Sequence, residues 1–327
     1  MIKKFDEIKN YNTVVDCTHL TDWSCVSVQG IESKNFLQNM LSINIKNIHN
    51  NTYMIGSHCN IYGKVISILI IFPFQKGYAY IQRKSVTEYQ INELKRYAMF
   101  SKVNISEETN YFILGIQGYT DQQIYSCFKI KVTNTKDSIN IFEYGMILRL
   151  ERKKNRFLIL IKKNKLYNFN IKIKSCNEKI LNNIWLSYAI DSGFPIIDKK
   201  NCSKIIALHT NLESLKGIDF DKGCYYGQEA IARLKFKSKV KYSLFWLKSM
   251  TCILPVHQTT DFFYFQRKCV EYQENFNWLI AGKVLAVSFT KQNKIWIQCI
   301  LKNNLDKKKI FRVEGLEKIY FKINKIF

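Results

Sequence analysis

The sequence predicts an α+β protein that ends in an all-β barrel. Three observations carry this. Up to about residue 232, apolar residues recur with both the two-residue period of strands and the 3.6-residue period of helices. Beyond it the pattern is only short strands and turns, the signature of a small separate β module. A chain of 327 residues, 47% of them hydrophobic, can bury a sizeable core and is long enough for more than one domain.

The elements follow in order. "SCVSVQG" (24–30) reads as a strand, and Phe36, Leu37, Met40 and Leu41 then recur at helical spacing. "GKVISILIIF" (63–72) and "YAYIQ" (78–82) read as a hairpin turning at Lys76-Gly77. Ser85 followed by Glu88 predicts a helix opened by a capping box, with Val86, Tyr89, Leu94, Tyr97 and Ala98 facing inward. Strands follow at 112–118, 146–152 and 156–163. A second helix, about 178–191, carries Ile180, Leu181, Ile184, Trp185, Tyr188 and Ala189 in one stripe and stops at Gly193 and Pro195. "KYSLFWLKS", "GKVLAVSF", "KIWIQCIL" and "KKIFRVE" supply the terminal strands. No repeat of solenoid length occurs, and three prolines and 13 glycines leave no room for long flexible linkers.

The net charge of +24 attracts polyanions, of which nucleic acid is the usual one. The abundance of Lys, Asn and Ile, residues with A/T-rich codons, supplies a rival explanation by base-composition drift, and both readings are open. The ten cysteines form no C-x-x-C pair, which excludes the usual zinc and thioredoxin-like spacings and suits free thiols in a reducing compartment. Five scattered histidines suggest no metal site. The N-terminus lacks the apolar core of a signal peptide. The strongest apolar run, Val65 to Phe74, is about half of what a membrane-spanning helix needs. The expectation is a soluble, cytoplasmic protein without membrane contact, and nothing in the sequence asks for more than a monomer.

Chemistry concentrates at Lys222-Gly223-Cys224-Tyr225-Tyr226-Gly227-Gln228-Glu229. The glycines permit a tight turn and a close backbone approach. "GQEAIARLKF" reads as a short helix, whose N-terminal dipole, together with Lys222, favours thiolate at Cys224. A buried, inert cysteine in a tight turn is the alternative. Arg233, Lys235, Lys237, Lys239 and Lys241 alternate with Leu234, Phe236, Ser238, Val240 and Tyr242, which as a strand would place five charges on one face. That face would track a phosphate backbone or serve as a solvated edge strand. Trp23 and Trp185 read first as core residues, an aromatic on an apolar stripe being more often core than ligand platform, with stacking on a ligand as the alternative. No H-E-x-x-H, G-x-S-x-G or Walker A pattern occurs, and no spacing among Asp22, Asp191, Asp198, Glu213 and Glu229 singles out an acid–base pair.

Taken together, "KGCYYGQEAIARLKF" resembles the signature of the YgfZ branch of the folate-binding GcvT-like superfamily, a branch with a mitochondrial relative in iron–sulfur cluster assembly. "LTDWSCVSVQGIESKNFLQ", "HCNIYGKVIS", "RKSVTEYQINELKRYAMFSKV", "NIWLSYAIDSGFPIID", "TNLESLKGIDFDKGCYYGQE" and "GKVLAV" fall in the family order, so the resemblance covers nearly the whole chain. It implies a GcvT-like fold: residues 1–232 as an α+β region of two subdomains and 233–327 as the barrel, around a central folate cavity. It implies tetrahydrofolate or a derivative as cofactor, held by Trp23 and Trp185, whose faces can stack on a pterin or aminobenzoyl ring. It implies that Cys224 is a functional thiol. It also implies a role in modifying some tRNAs, notably methylthiolation by radical iron–sulfur enzymes, and a link to regulation of replication initiation. The partners would be folate and tRNA or the iron–sulfur enzymes that modify it.

Several positions depart from the family pattern, among them Ala207-Leu208, where relatives often carry Pro-Gln. Asn39, Asn44 and Asn60 stand where relatives often carry Gly or Asp, and asparagine is no general base near neutral pH. An aminomethyltransferase-like mechanism that uses a carboxylate there is disfavoured. Two other readings stand beside the first: an aminomethyltransferase of glycine cleavage, which the cysteine signature also disfavours, and a basic RNA-binding module without folate chemistry.

Overall fold

The computed structural model describes residues 14–133, 135, 137–151, 154–169, 171–174, 177–252, 262–290 and 292–327. Cys176, His257 and most of the N-terminal stretch read above for a leader lie outside the described residues. The helices, in chain order, are α1 (Ser33–Met40), α2 (Thr87–Ala98), α3 (Asp121–Phe128), α4 (Glu178–Ser192) and α5 (Gln228–Lys237). The fold is α+β. The chain forms two compact units, Met1–His19 with Asn110–Ser175, and Leu20–Thr109 with Cys176–Phe327.

The first unit is a six-stranded sheet in the order Ile171–Ile173, Val15–His19, Tyr111–Gln117, Arg156–Lys162, Gly145–Glu151, Ile139–Phe142. Its first pair is parallel and the others antiparallel. One face packs Leu114, Ile116, Phe157 and Ile159 against Ile124 and Phe128 of α3. A capping box opens α3: the Thr120 hydroxyl accepts from the Gln123 amide, and the Gln123 side chain accepts from the Thr120 amide.

The second unit holds a five-stranded antiparallel sheet, in the order Met54–Cys59, Val65–Phe74, Gly77–Arg83, Trp23–Gln29, Asn104–Glu107. Its hairpin closes with Phe74 opposite Gly77, at the turn predicted from Lys76-Gly77. Phe36, Leu37 and Met40 of α1 pack on this sheet with Leu94 of α2. The same unit contains a closed six-stranded barrel, Tyr242–Ser249, Ile295–Lys302, Asn277–Phe289, Cys269–Glu274, Phe311–Val313, Phe321–Ile326. Alternate residues such as Phe245, Leu247, Ile297, Cys299 and Leu301 fill its interior.

Three local expectations are corrected. Ser85 does not cap α2. Its hydroxyl donates to the buried Asp198 carboxylate at 2.7 Å and accepts from the Lys199 amide at 3.2 Å, so both its donor and its acceptor are engaged away from the first turn of α2. Thr87, Gln90 and Leu94 face inward instead of Tyr89 and Tyr97, which are 47% and 43% exposed. The segment from Arg233 is not a strand: α5 runs to Lys237 and the first barrel strand starts at Tyr242. Only Ile231 of α5 is buried, so no sheet face selects a period of two, and the strong helix formers of "QEAIARLKFK" decide the local structure. Among the described residues no helix is long and apolar enough to cross a membrane.

Candidate functional site: an exposed cysteine on an anchored loop

Lys222 anchors the segment that carries Cys224. It is 6% exposed, and its ammonium donates to the carbonyls of Leu41 and Ile43, each at 2.8 Å, and to that of Gln38. These are acceptors at and just beyond the C-terminal end of α1, where helix carbonyls lack intrahelical partners. Burial pulls the Lys222 pKa down to about 8, with Asp219 acting in the other direction. The ammonium is turned inward, 4.9 Å from the Tyr225 ring centroid, and no hydrogen bond joins it to the thiol.

The far side of the loop is held by glycine geometry. Gly227 has φ +87°, and a Cβ there would lie 2.4 Å from the Asn60 carbonyl oxygen. Gly63, φ +67°, rests against Ala230 and Ile231, so the tip of the Asn60–Lys64 turn sits on the first turn of α5. Gly223 differs: a Cβ there would meet nothing within 4 Å. Tyr226 donates its amide to the Asn39 carbonyl at 2.9 Å, and its hydroxyl bonds that of Tyr97. Tyr225 is buried, and its hydroxyl has no partner among the described residues. Gln228 opens α5, and Glu229 is exposed in the first turn, where the helix dipole favours an acid. Between these fixed points Cys224 is exposed, unlike Cys17, Cys25, Cys59, Cys127 and Cys299, which are buried. The buried-cysteine alternative is overturned.

Two of the three asparagines, Asn60 and Asn44, have local work. The Asn60 side-chain oxygen accepts from the amides of Tyr62 at 3.0 Å and Lys64 at 3.1 Å. The Asn44 oxygen accepts from the Lys46 amide. Such caps need an acceptor and no charge.

The basic residues diverge once α5 is a helix. Arg233 and Lys237, four apart, share an exposed face. Lys235 turns away to pair with Glu213, its ammonium 5.8 Å from the Phe220 ring. Lys239 and Lys241 follow in irregular, exposed chain.

The two tryptophans lie elsewhere. Trp23 opens its strand opposite Arg83 and is 6% exposed. The Arg83 guanidinium lies 5.3 Å over its ring, and the Phe194 ring is 5.8 Å away. Its indole N–H is buried with no acceptor among the described residues. Trp185 is 5% exposed on α4, one turn after Asn182. Asn182 accepts from the Asp22 amide and donates to the Thr21 hydroxyl, so α4 is fastened to the residues just before Trp23. No hydrogen bond, ion pair or ring contact joins Cys224 to either tryptophan among the described residues.

Sequence reasoning missed the hub beside Trp23. Asp198 is buried and accepts from Arg83 at 2.9 and 3.4 Å, from Ser85 at 2.7 Å and from Gln266 at 2.8 Å. Asp22 stands 3.6 Å from the same guanidinium. These partners are 68 to 115 residues from Asp198 in the chain, beyond any spacing rule. His58 was also passed over. It is fully buried, neither ring nitrogen has a partner among the described residues, and burial lowers its pKa to about 3, so it is neutral.

Comparison with known proteins adds four likenesses. The family model "YgfZ, beta-barrel domain" matches residues 259–316. The tRNA-modifying protein YgfZ of Buchnera aphidicola subsp. Baizongia pistaciae is 39% identical over 321 residues, covering 97% of this chain and 95% of that protein. The protein of the same name from Escherichia coli O127:H6 is 31% identical over 296 residues, 90% of this chain and 87% of the relative. Among solved structures, the glycine cleavage system aminomethyltransferase T from Bartonella henselae superposes with a TM-score of 0.70 over 97% of this chain and 87% of its own, at 12% identity. That likeness establishes a GcvT-like fold.

Proposed function

The chain belongs to the YgfZ family, and on that premise we propose that it is a folate-binding factor acting in the modification of tRNA, with Cys224 as its functional thiol. The observation that carries the proposal is the contrast within the signature loop. Lys222, Tyr226 and Gly227 are each tied to the protein, while Cys224 and the open side of Gly223 face solvent. A thiol kept accessible on an immobilised loop suits contact with a partner or substrate. Methylthiolation by iron–sulfur enzymes is the modification proposed.

The residues around Trp23 suit a reduced folate. An indole N–H buried without an acceptor is costly unless something supplies one, and a pterin carries ring nitrogens and a carbonyl that do. Arg83 and Phe194 already occupy the surroundings of the Trp23 ring, so its contribution is the N–H edge and not an open stacking face. A reduced folate bound there would supply one-carbon chemistry. The chain's own part is to orient it, through Trp23 and Trp185 set by Arg83 and α4.

Two experiments test the two halves. In a host deleted for its own family member, wild type is expected to restore 2-methylthio nucleosides, measured by mass spectrometry of digested tRNA, and Cys224→Ala is not. Equal rescue by the alanine variant would sink the role of the thiol. In calorimetric titration with tetrahydrofolate, Trp23→Phe keeps a ring but removes the N–H, and is expected to weaken binding roughly ten-fold, the worth of one buried hydrogen bond. Unchanged affinity would remove Trp23 from the site.

A further inference from the structure

The exposed side of α5 combines two properties. Glu229, Arg233, Phe236 and Lys237 lie at i, i+4, i+7 and i+8, which puts them on one stripe, and all four are exposed. Phe236 is 70% exposed, although its ring also touches Phe220 at 5.7 Å between centroids. Lys239 and Lys241, both exposed, follow the helix in irregular chain. At its other end the turn tip resting on Ala230 and Ile231 brings Tyr62, 67% exposed, beside the helix. With Lys235 paired to Glu213, the charges left on the stripe have no ion-pair partner among the described residues. Protein–protein contact surfaces are depleted in lysine. Aromatic rings interleaved with unpaired cations are the composition that binds single-stranded nucleic acid, the rings stacking bases and the cations following phosphates.

We propose that this face of α5 docks a single-stranded segment of RNA, with bases on Phe236 and Tyr62 and phosphates on Arg233, Lys237, Lys239 and Lys241. The choice of RNA rests on the tRNA reading above; the basic–aromatic geometry does not. A single strand fits better than a duplex, because the major groove of A-form RNA is too deep and narrow for side chains to read, whereas unstacked loop bases can be splayed onto rings. Cys224 is exposed in the loop that runs directly into α5.

The test is anisotropy of the full chain with a fluorescein-labelled, unstructured RNA of about 12 nucleotides, a length within one stacking groove's reach. Phe236→Ala is expected to weaken binding about ten-fold or more, the value of one stacked base, with the salt dependence unchanged. Arg233→Gln and Lys237→Gln are each expected to lower the slope of log affinity against log salt by about 0.7. Lys318→Gln, an exposed barrel position, is expected to match wild type. Because all four side chains are exposed, circular dichroism is expected to show an unchanged fold. The proposal is overturned if Phe236→Ala binds like wild type, if Lys318→Gln weakens binding as much as Arg233→Gln, or if a blunt RNA duplex of equal length binds as tightly. These readouts do not involve modification. Intact binding with no loss of modified nucleosides on deletion would sink the tRNA-modification reading alone.

Discussion

Replacing Asp198 with alanine is expected to destabilise the protein by about 3–5 kcal/mol, the cost of leaving one partner of a buried ion pair uncompensated. The carboxylate is 1% exposed and receives Arg83, itself 3% exposed, in a two-point contact. Without it the guanidinium loses that two-point contact and the Asp22 carboxylate, 38% exposed, stands 3.6 Å away, and the Ser85 hydroxyl and Gln266 amide lose an acceptor. Ser85 and Arg83 belong to the end of a sheet strand and its sequel, and Gln266 to the chain entering the barrel, so one carboxylate ties sheet to barrel. Urea unfolding measures the effect. Asp198→Asn, which retains an acceptor but not the charge, is expected to fall between wild type and alanine. A loss of under about 1 kcal/mol in the alanine variant, the scale of a single exposed ion pair, would show that the hub is not holding the fold. Because Arg83 overlies Trp23, the tetrahydrofolate affinity of both variants is expected to fall in the same order.

The second large effect is expected at Lys222. Methionine matches the length of lysine but leaves the Gln38, Leu41 and Ile43 carbonyls without their shared donor. An unsatisfied buried acceptor costs about 1–3 kcal/mol, and release of the desolvated charge offsets part of three such losses, so about 2–4 kcal/mol is expected. The pH dependence supplies a separate readout. The folded chain holds this proton less tightly, about 8 against 10.5 for an ordinary lysine. Between those values the unfolded state binds more protons, so the contribution of Lys222 to stability rises from pH 8 to 10.5. That rise is expected to vanish in Lys222→Met. A curve parallel to wild type across this window would place the ammonium outside the described bonds. The loop is also expected to loosen, seen as faster amide exchange at Tyr225 and Tyr226 in the variant.

Much of the architecture was legible because it is local. Period-two runs marked the central hairpin and the barrel strands, since a half-buried strand must repeat its apolar residues at its own pitch; α4 was located, but of its predicted stripe only Trp185 is buried, beside Asn182, Leu186, Ser187 and Ile190. The reading failed where burial did not impose a period. The Arg233–Tyr242 alternation looks like a strand, but neither face is buried, and helix propensity prevailed through Lys237. Ser85 and Glu88 have the spacing of a cap, but a charged acceptor from more than a hundred residues away takes the hydroxyl.

The signature from Lys222 to Glu229 shows the same division. The sequence by itself determined the family, the α+β class with its terminal barrel, and the loop in which Cys224 sits, because motif order and apolar periodicity are properties of the chain alone. Only the tertiary structure decided that Cys224 is exposed while Lys222 is buried, that Asn60 caps a turn, and that Asp198 gathers Arg83, Ser85 and Gln266. Each of these depends on which distant donor or acceptor a polar group meets once water is excluded. That pairing is set by packing between elements far apart in the chain and leaves no periodic trace in the sequence.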